Sequence, residues 1–143
     1  MEPRLSYVIG RLQRVLRRRL AAAIEPAGLT LPAYTALSVL RVQDGLSNAQ
    51  LARRSLVTPQ SMSEALAQLV DRGYVRRRAD PEHGRIIRTE LTKAGSRALE
   101  RCDRAVDVVE REMLGELDAD QVASLRSALI SCSRTLERDL AER

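Results

Sequence analysis

Apolar side chains recur at every third or fourth position through six stretches of this chain. In an α-helix this spacing places them on one face, so each stretch predicts a helix with an apolar stripe. The first helix is predicted from about Leu5 to Ile24, where Pro26 and Gly28 end it. The pattern therefore indicates a mainly α-helical chain, whose six helices begin near Leu5, Thr30, Ser47, Thr58, Thr92 and Asp118.

Polar residues at the predicted helix starts have the pattern of N-terminal caps. Ser47 and Gln50 match a capping box, in which the serine caps and a Glu or Gln follows three residues later. Thr58 can cap the fourth helix, and Pro59 then occupies the first helical position, where its missing N–H costs nothing. Asp44-Gly45 predicts a turn before the third helix. The third and fourth helices are therefore short and lie close together in the sequence.

The fourth helix is predicted to have one apolar face and one polar face. Its anchoring face carries apolar residues at helical spacing: Met62, Ala65, Leu66, Leu69 and Val70. Polar and small residues fall mostly outside that face: Gln60, Ser61, Ser63, Glu64, Ala67 and Gln68. Gly73 is expected to end the helix as a left-handed cap. The polar face either meets a partner or is a plain solvated surface.

Two strands are predicted after the fourth helix, from Tyr74 to Ala79 and from Ile86 to Leu91, because apolar and polar residues alternate there. The segment from Asp80 to Arg85 is rich in turn residues and predicts a projecting loop. A helix-turn-helix followed by a hairpin is a winged helix. The predicted fold is thus mainly α with a small β-hairpin wing.

The two ends of the chain are predicted to form a dimer. We expect one domain over residues 1–143, with a winged helix-turn-helix part at 30–95 and dimerisation helices at 1–28 and 96–143. The end helices have more apolar surface than a small winged helix covers, and burial is worth about 25 cal/mol per Å². This favours a homodimer intertwined about a two-fold axis. The alternative is a monomer whose end helices pack only on each other. The sixth helix contributes the stripe Val122, Leu125, Leu129, Cys132, Leu136 and Leu140.

The charge pattern points to a nucleic acid partner. The chain has 24 Lys plus Arg against 19 Asp plus Glu, a net charge of +5, and Lys93 is the only lysine. Residues 53–88 hold eight arginines against four acids, and arginine suits bidentate phosphate and guanine contacts. Single-stranded nucleic acids are usually stacked on aromatic side chains. With no Trp or Phe and only three Tyr, duplex DNA is the favoured partner.

Other classes of protein are disfavoured by what the sequence lacks. His83 is the only histidine, so no nucleophile–base–orienter set can be assembled, and we expect no enzyme activity, metal or cofactor. Cys102 and Cys132 lie on apolar stripes and are expected to be buried. The longest uncharged stretch, Pro26 to Leu40, is fifteen residues, whereas a membrane span needs about 20. We expect a cytoplasmic protein with no membrane partner.

The segment LARRSLVTPQSMSEALAQLVDRGYVRRRADPEHGRIIRTELTKAG, Leu51 to Gly95, resembles the MarR family of bacterial regulators. The first helix, the LTLPAYTAL of the second helix and the two closing helices match the same layout, so the resemblance covers nearly the whole chain. Its most specific piece is the wing running into Leu91-Thr92. The resemblance implies a homodimeric repressor or activator. In many members a small, often phenolic, effector lowers DNA affinity.

Candidate DNA contacts are concentrated at the start of the fourth helix and on the wing. At a helix start, backbone N–H groups and the helix dipole attract phosphate. Gln60 can pair with adenine, and Glu64 can accept from cytosine, although the family resemblance predicts a basic or small residue there. The predicted contacts are Arg53, Arg54, Thr58, Gln60, Ser61, Ser63, Glu64, Arg77, Arg85 and Arg88.

Arg85 is the sharpest single candidate. It matches the wing-tip arginine that the family resemblance places in the minor groove, where narrow A-tracts concentrate negative potential. The family pattern has an aspartate two residues earlier that holds this arginine, and here His83 stands in its place. Asp80 is the candidate to replace it. The alternative is a disordered loop whose arginine adds only charge.

The sequence thus predicts a DNA-binding transcriptional regulator, a ligand-responsive repressor that binds a pseudo-palindromic operator as a homodimer. The alternative is a winged-helix module that uses the same face for an acidic protein partner. The fourth helix lacks the exposed aromatic or aliphatic anchors that such an interface needs, which disfavours this alternative. The operator and the effector site are not evident from the sequence.

Overall fold

The computed structural model describes residues 1–141, with side chains described as far as Arg138. Over this range the predicted helices and the two predicted hairpin strands occur in the predicted order, so the mainly α fold with a hairpin is confirmed. The chain forms α1 (Leu5–Ile24), α2 (Leu31–Val42), β1 (Leu46–Ser47), α3 (Asn48–Ser55), α4 (Pro59–Asp71), β2 (Val75–Ala79), β3 (Ile87–Leu91), α5 (Lys93–Leu114) and α6 (Ala119–Ala141). Only α5 differs at its end, since it stops three residues before Leu117.

The helix starts are fixed by the caps that the sequence predicts. Ser47 and Gln50 form the reciprocal capping box of α3: the Ser47 Oγ accepts the Gln50 N–H at 3.2 Å, and the Gln50 Oε1 accepts the Ser47 N–H at 2.9 Å. Thr30 caps α2 and Thr58 caps α4, each by accepting the backbone N–H three residues later on its side-chain oxygen. Because each cap satisfies a backbone donor that the helix leaves free, these boundaries are set locally.

The strands form a three-stranded antiparallel sheet in the order β1-β3-β2. Strand β1 was not predicted: it has only two residues, too few to show an alternating pattern. It pairs Leu46 with Thr89, and the preceding Gly45, at φ +72°, donates its N–H to the Thr89 carbonyl at 3.1 Å. The hairpin is therefore tied at its base to the turn between α2 and α3.

Residues Met1–Val109 form one compact unit with its own apolar core. The predicted anchoring face of α4 is buried except for Val70, which is 41% exposed. The prediction for Val70 was wrong because eight residues at 3.6 per turn place it about 80° around the helix from Met62. Cys102 is buried as predicted. The largest fully buried apolar side chains of this core are Ile24, Leu37, Leu40, Leu46, Leu51, Met62, Leu66, Leu69, Leu99 and Cys102.

Helix α1 belongs to this unit, yet most of its apolar stripe faces solvent. Ile24 is buried at its C-terminal end, and Leu16 and Leu20 are half-buried. Toward the N-terminus, Leu12 is 44% exposed and Leu5 is 78% exposed. The uncovered part of the stripe comprises Leu5, Val8, Ile9, Leu12 and Val15.

Residues Glu110–Arg143 form a second compact unit that contains α6. Asp118 and Gln121 make the predicted capping box, with reciprocal hydrogen bonds of 2.8 and 3.0 Å. The predicted stripe of α6 is largely exposed, including Leu129 and Leu136, and its last member, Leu140, lies outside the described side chains. Cys132 is also exposed, so its predicted burial was wrong. It lies on an apolar stripe that a single chain leaves uncovered.

In the part of the chain that the structure describes, no helix combines the length and the apolar content needed to cross a membrane.

Candidate nucleic-acid interface

Helices α3 and α4 are joined by a tight turn with one strained residue. Leu56 follows α3 with φ +55° and ψ +41°, a left-handed conformation that non-glycine residues rarely adopt. Its side chain is 88% exposed. Arg53 and Arg54, in the last turn of α3, are also exposed. The turn thus directs the chain from a basic helix end into the start of α4.

Helix α4 presents a polar face to solvent beside this turn. Met62 and Leu66 are fully buried on the opposite face and anchor the helix to the core. The burial pattern agrees with the sequence prediction for the polar side, and Ser61 alone is partly covered. The exposed members are Gln60, Ser63, Glu64, Ala67 and Gln68.

Two of the predicted contact residues on α4 also have roles inside the protein. The Thr58 Oγ1 accepts the Ser61 N–H at 3.1 Å, so this N–H is used by the cap and is not free for phosphate. The Ser63 Oγ accepts from the Nδ2 of Asn48 at 3.0 Å. Both hydroxyls keep a proton that they can donate outward. Asn48 was missed by the sequence analysis because nothing in its local pattern marks it.

The wing comprises β2, β3 and the loop between them, residues 75–91. On one side of the hairpin, Glu90 binds two arginines of β2: its Oε2 lies 3.0 Å from the Arg76 Nη2 and 3.5 Å from the Arg78 Nε. Arg78 also lies directly opposite Arg88 in the strand register. Glu90 therefore offsets part of the positive charge that gathers on this side of the wing.

Arg88 is bound within the protein in spite of its predicted role as a DNA contact. Its Nε lies 2.5 Å from the Asp80 Oδ2, and its Nη1 donates to the Gly45 carbonyl at 3.0 Å. Two of its donors are thus directed at protein acceptors. A contact between Arg88 and DNA stays a prediction, and only the remaining donors are available for it.

Asp80 holds the loop of the wing, residues 80–86, as the sequence analysis suggested. The residue is 7% exposed. Its Oδ1 accepts the backbone N–H groups of Glu82 at 2.8 Å and His83 at 3.1 Å. The Glu82 hydrogen bond, followed by that of Arg88, lowers the pKa of Asp80 to about 2. The carboxylate is therefore ionised at neutral pH and fixes the loop from inside.

Two arginines of the wing, Arg77 and Arg85, differ from the others because their side chains are not held by the protein's described residues. Within the described residues, no protein acceptor binds the guanidinium of Arg77 or Arg85, and both residues are exposed. Arg85 lies in the loop, where the Ile86 N–H donates to the His83 carbonyl at 2.8 Å. These two side chains are the available cations of the hairpin.

The base of the wing packs closely against the start of α5. The Thr92 hydroxyl donates to the Gly73 carbonyl at 2.6 Å and accepts the Gly95 N–H at 3.0 Å. A Cβ atom on Gly95 would overlap the Tyr74 carbonyl oxygen and lie 2.9 Å from the Leu91 Cδ1. Leu91, Thr92 and Gly95, which end the sequence motif, therefore join the hairpin to α5.

Tyr34, on α2, is half-buried and hydrogen-bonded. Its hydroxyl donates to the Asp103 Oδ1 at 2.6 Å, and the Arg41 Nη1 donates to the Asp103 Oδ2 at 2.5 Å. Burial, followed by the Asp103 carboxylate, raises the pKa of the Tyr34 phenol above its usual value. The phenol is thus a neutral donor that links α2 to α5.

The chain is similar in sequence to a known family of regulators and to a transcriptional repressor. Residues 27–86 match a sequence model described as the MarR family. The chain is 38% identical over 125 residues to the HTH-type transcriptional repressor Rv2887 of Mycobacterium tuberculosis, a match that covers 87% of this chain and 90% of that repressor.

The chain is also similar to solved structures of this repressor. The chain is similar to Rv2887 in complex with DNA, with 34% identity, a TM-score of 0.78 and coverage of 92% of this chain and 98% of that one. It is also similar to Rv2887 in complex with salicylic acid, with 36% identity, a TM-score of 0.75 and coverage of 92% and 97%.

Proposed function

The chain belongs to the MarR family of transcriptional regulators, and we propose that it is a homodimeric repressor that binds a pseudo-palindromic DNA operator in the cytoplasm. The family is one of regulators, not enzymes, and we extend this to the absence of catalysis in this chain. This proposal rests mainly on the exposed polar face of α4 and on two wing arginines, Arg77 and Arg85, that no acceptor among the described residues binds.

The geometry supports two kinds of DNA contact. The polar face of α4 suits the major groove, where Gln60 would read adenine and Glu64 would accept from cytosine. Arg85 would enter the adjacent minor groove, since narrow grooves attract arginine. The remaining proposed contacts serve mainly the phosphate backbone: Arg53, Arg54, Thr58, Ser61, Ser63 and Arg77.

The dimer is supported by the uncovered stripe of α1. An apolar surface of this kind is unfavourable in water, and a second copy offers the same stripe for it to pack against. Two copies would present their α4 helices to successive major grooves, about 34 Å apart. A single copy would read only one half-site.

Regulation by a small aromatic acid is the finer part of the proposal. The relative Rv2887 has been solved with salicylic acid and with p-aminosalicylic acid. We propose that a small molecule of this class lowers the DNA affinity of this chain as well. Titration of salicylate into a preformed protein–DNA complex tests this, and unchanged affinity at saturating salicylate would contradict it.

Duplex binding is tested by fluorescence anisotropy with DNA from the region upstream of the chain's own gene. We expect Arg85→Ala to weaken binding about tenfold, the effect of losing roughly 1.4 kcal/mol of contact, with the fold intact. Arg101→Ala removes the same charge from an exposed position on α5 and should change affinity much less.

Two results would contradict the proposal. Equal affinity of the Arg85→Ala variant and the wild type would remove the wing from the interface. If the wild-type protein at micromolar concentration binds no duplex in a salt-dependent manner, a winged-helix module for an acidic protein partner becomes the better account.

A further inference from the structure

The loop of the wing is held by a connected set of polar contacts that joins three segments of the chain. At its start, the Asp80 N–H donates to the Ile86 carbonyl at 2.8 Å, which closes the loop. The Asp80 carboxylate then accepts the N–H groups of Glu82 and His83 and the Nε of Arg88. Each of these acceptor positions is therefore filled from inside the protein.

Arg88 extends these contacts beyond the wing. Its Nη1 donates to the carbonyl of Gly45 at 3.0 Å, in the turn that precedes β1. That turn leads directly into α3, whose capping box begins at Ser47. The Asp80 carboxylate is thus connected, through one guanidinium, to the chain that enters the helix-turn-helix.

The direction of the Arg88 donors distinguishes a residue that binds phosphate from a residue that holds the loop. An arginine that binds phosphate presents its planar fork outward, whereas here two edges of the fork point at Asp80 and Gly45. Arg85, three residues earlier, is bound to no described side chain. Arg88 is therefore positioned to hold the loop. Arg85, which no described side chain binds, is positioned to extend from the loop toward a partner.

We propose that Asp80, Arg88 and the Gly45 carbonyl form a brace that fixes the wing relative to the helix-turn-helix, and that Arg88 is a positioning residue for Arg85. Because the Asp80 carboxylate also accepts the N–H of His83, two residues before Arg85, the brace holds the backbone that leads into Arg85. This inference rests on the proposed function, because positioning matters only if the wing meets DNA.

Asp80→Asn gives the sharpest test because charge and positioning predict opposite results. The change raises the net charge from +5 to +6, so electrostatics alone predicts tighter DNA binding. Loss of the brace predicts binding about tenfold weaker. Measured by anisotropy at fixed salt, weaker binding supports the brace, and equal or tighter binding overturns it.

Two variants of Arg88 separate the brace from a phosphate contact. Arg88→Lys keeps the charge but cannot supply the two directed donors of the fork. The brace predicts that Arg88→Lys loses nearly as much affinity as Arg88→Gln. If Arg88→Lys binds as the wild type does, and Arg88→Gln lowers the salt slope by about one, Arg88 is a phosphate contact and the proposal is wrong.

A double-mutant cycle shows whether the brace acts through Arg85. In an Arg85→Ala background, Asp80→Asn should cost less than twofold, because no wing-tip arginine remains to be positioned. Additive losses would contradict this. Arg76→Gln is the matched control, since it breaks the exposed Arg76–Glu90 pair of the same hairpin and should change affinity by less than threefold.

The free protein provides a readout that does not depend on DNA. Hydrogen exchange at the Glu82 and His83 amides should accelerate in Asp80→Asn, while circular dichroism and thermal unfolding confirm that the variant folds. If these amides are equally protected in both proteins, the brace is overturned. If the wild type binds no duplex, the proposed function fails and the positioning role with it. Duplex binding by the wild type with no loss in Asp80→Asn overturns the brace alone.

Discussion

Gly95 shows how a single residue joins the wing to the rest of the molecule. It lies in the first turn of α5, where the backbone passes so close to Tyr74 that no Cβ atom fits. The adjacent Thr92 hydroxyl bonds on both sides, to the Gly73 carbonyl and to the Gly95 N–H. The glycine at this position is therefore required by a backbone approach, not by its own conformation.

We expect Gly95→Ala to destabilise the protein by about 2 kcal/mol or more, because the new methyl group must displace backbone atoms. Urea unfolding followed by circular dichroism measures the change. Gly84→Ala is the control, since nothing lies within 4 Å of a Cβ there, and it should stay within about 0.5 kcal/mol of the wild type. Equal stability of all three proteins would show that α5 shifts freely.

Prediction of individual site residues succeeded where the signal is local. Thr58 and Ser47 cap their helices as their spacing implies. Asp80 holds the loop, the role that we predicted for it in place of the aspartate missing at position 83. The pairing of Arg88 with the Gly45 carbonyl spans 43 residues, and no sequence period encodes such a contact. The sequence therefore identified the basic residues of the wing but not which of them are bound.

The turn between α3 and α4 contains backbone strain at Leu56, which adopts a left-handed conformation. A left-handed conformation costs an L-residue roughly 1–2 kcal/mol, and the exposed side chain recovers little of this by burial. Leu56→Gly should therefore stabilise the protein, by about 0.5–1 kcal/mol after the greater entropy of glycine in the unfolded chain is counted.

Leu56→Ala is the matched control, because it removes the same side chain but keeps a Cβ in the left-handed region. It should show no such gain in a urea denaturation series. If the alanine variant is as stable as the glycine variant, or if the glycine variant is less stable than the wild type, backbone strain is not the cause.

At the level of elements, the helices were predicted well and the sheet only in part. The long apolar period defines α1, and the Thr58 cap together with the apolar period defines α4, each to within about two residues. Strand β1 has no detectable period and exists because Leu46 fits the core while its backbone pairs with β3. The end of α5 was placed too late because the apolar spacing continues to Leu117, although the helix stops at Leu114.

At the scale of the whole molecule, the uncovered stripe of α1 predicts that the chain of 16.0 kDa sediments as a dimer. Leu12→Glu places a charge on this stripe and should shift the protein toward monomer, with parallel loss of operator affinity. Val42→Glu is the control: Val42 is 86% exposed at the end of α2 and is not part of the α1 stripe.

Analytical ultracentrifugation over a concentration series measures both variants. A wild-type protein that sediments as one chain at micromolar concentration would contradict the dimer. A Leu12→Glu variant that remains as dimeric as Val42→Glu would instead place the interface elsewhere.

Burial at this scale was the hardest property to predict. The stripes of α1 and α6 have the same spacing as those of α2 and α4, yet they are mostly exposed. Periodicity shows which face of a helix is apolar, but it does not show whether the chain itself covers that face. Cys132 was misassigned for this reason, and Cys102, on α5, was assigned correctly.

Thr92 alone separates the last residue of β3 from the first residue of α5. Gly95 also packs closely against the Tyr74 backbone. The junction is therefore too short and too closely packed to absorb a rotation of α5 relative to the hairpin. A change in the tilt of α5 would consequently act directly on the base of the hairpin. A small molecule that shifts α5 would therefore change the spacing between the two wings of a dimer, even if it binds far from the DNA and contacts no residue that meets a base.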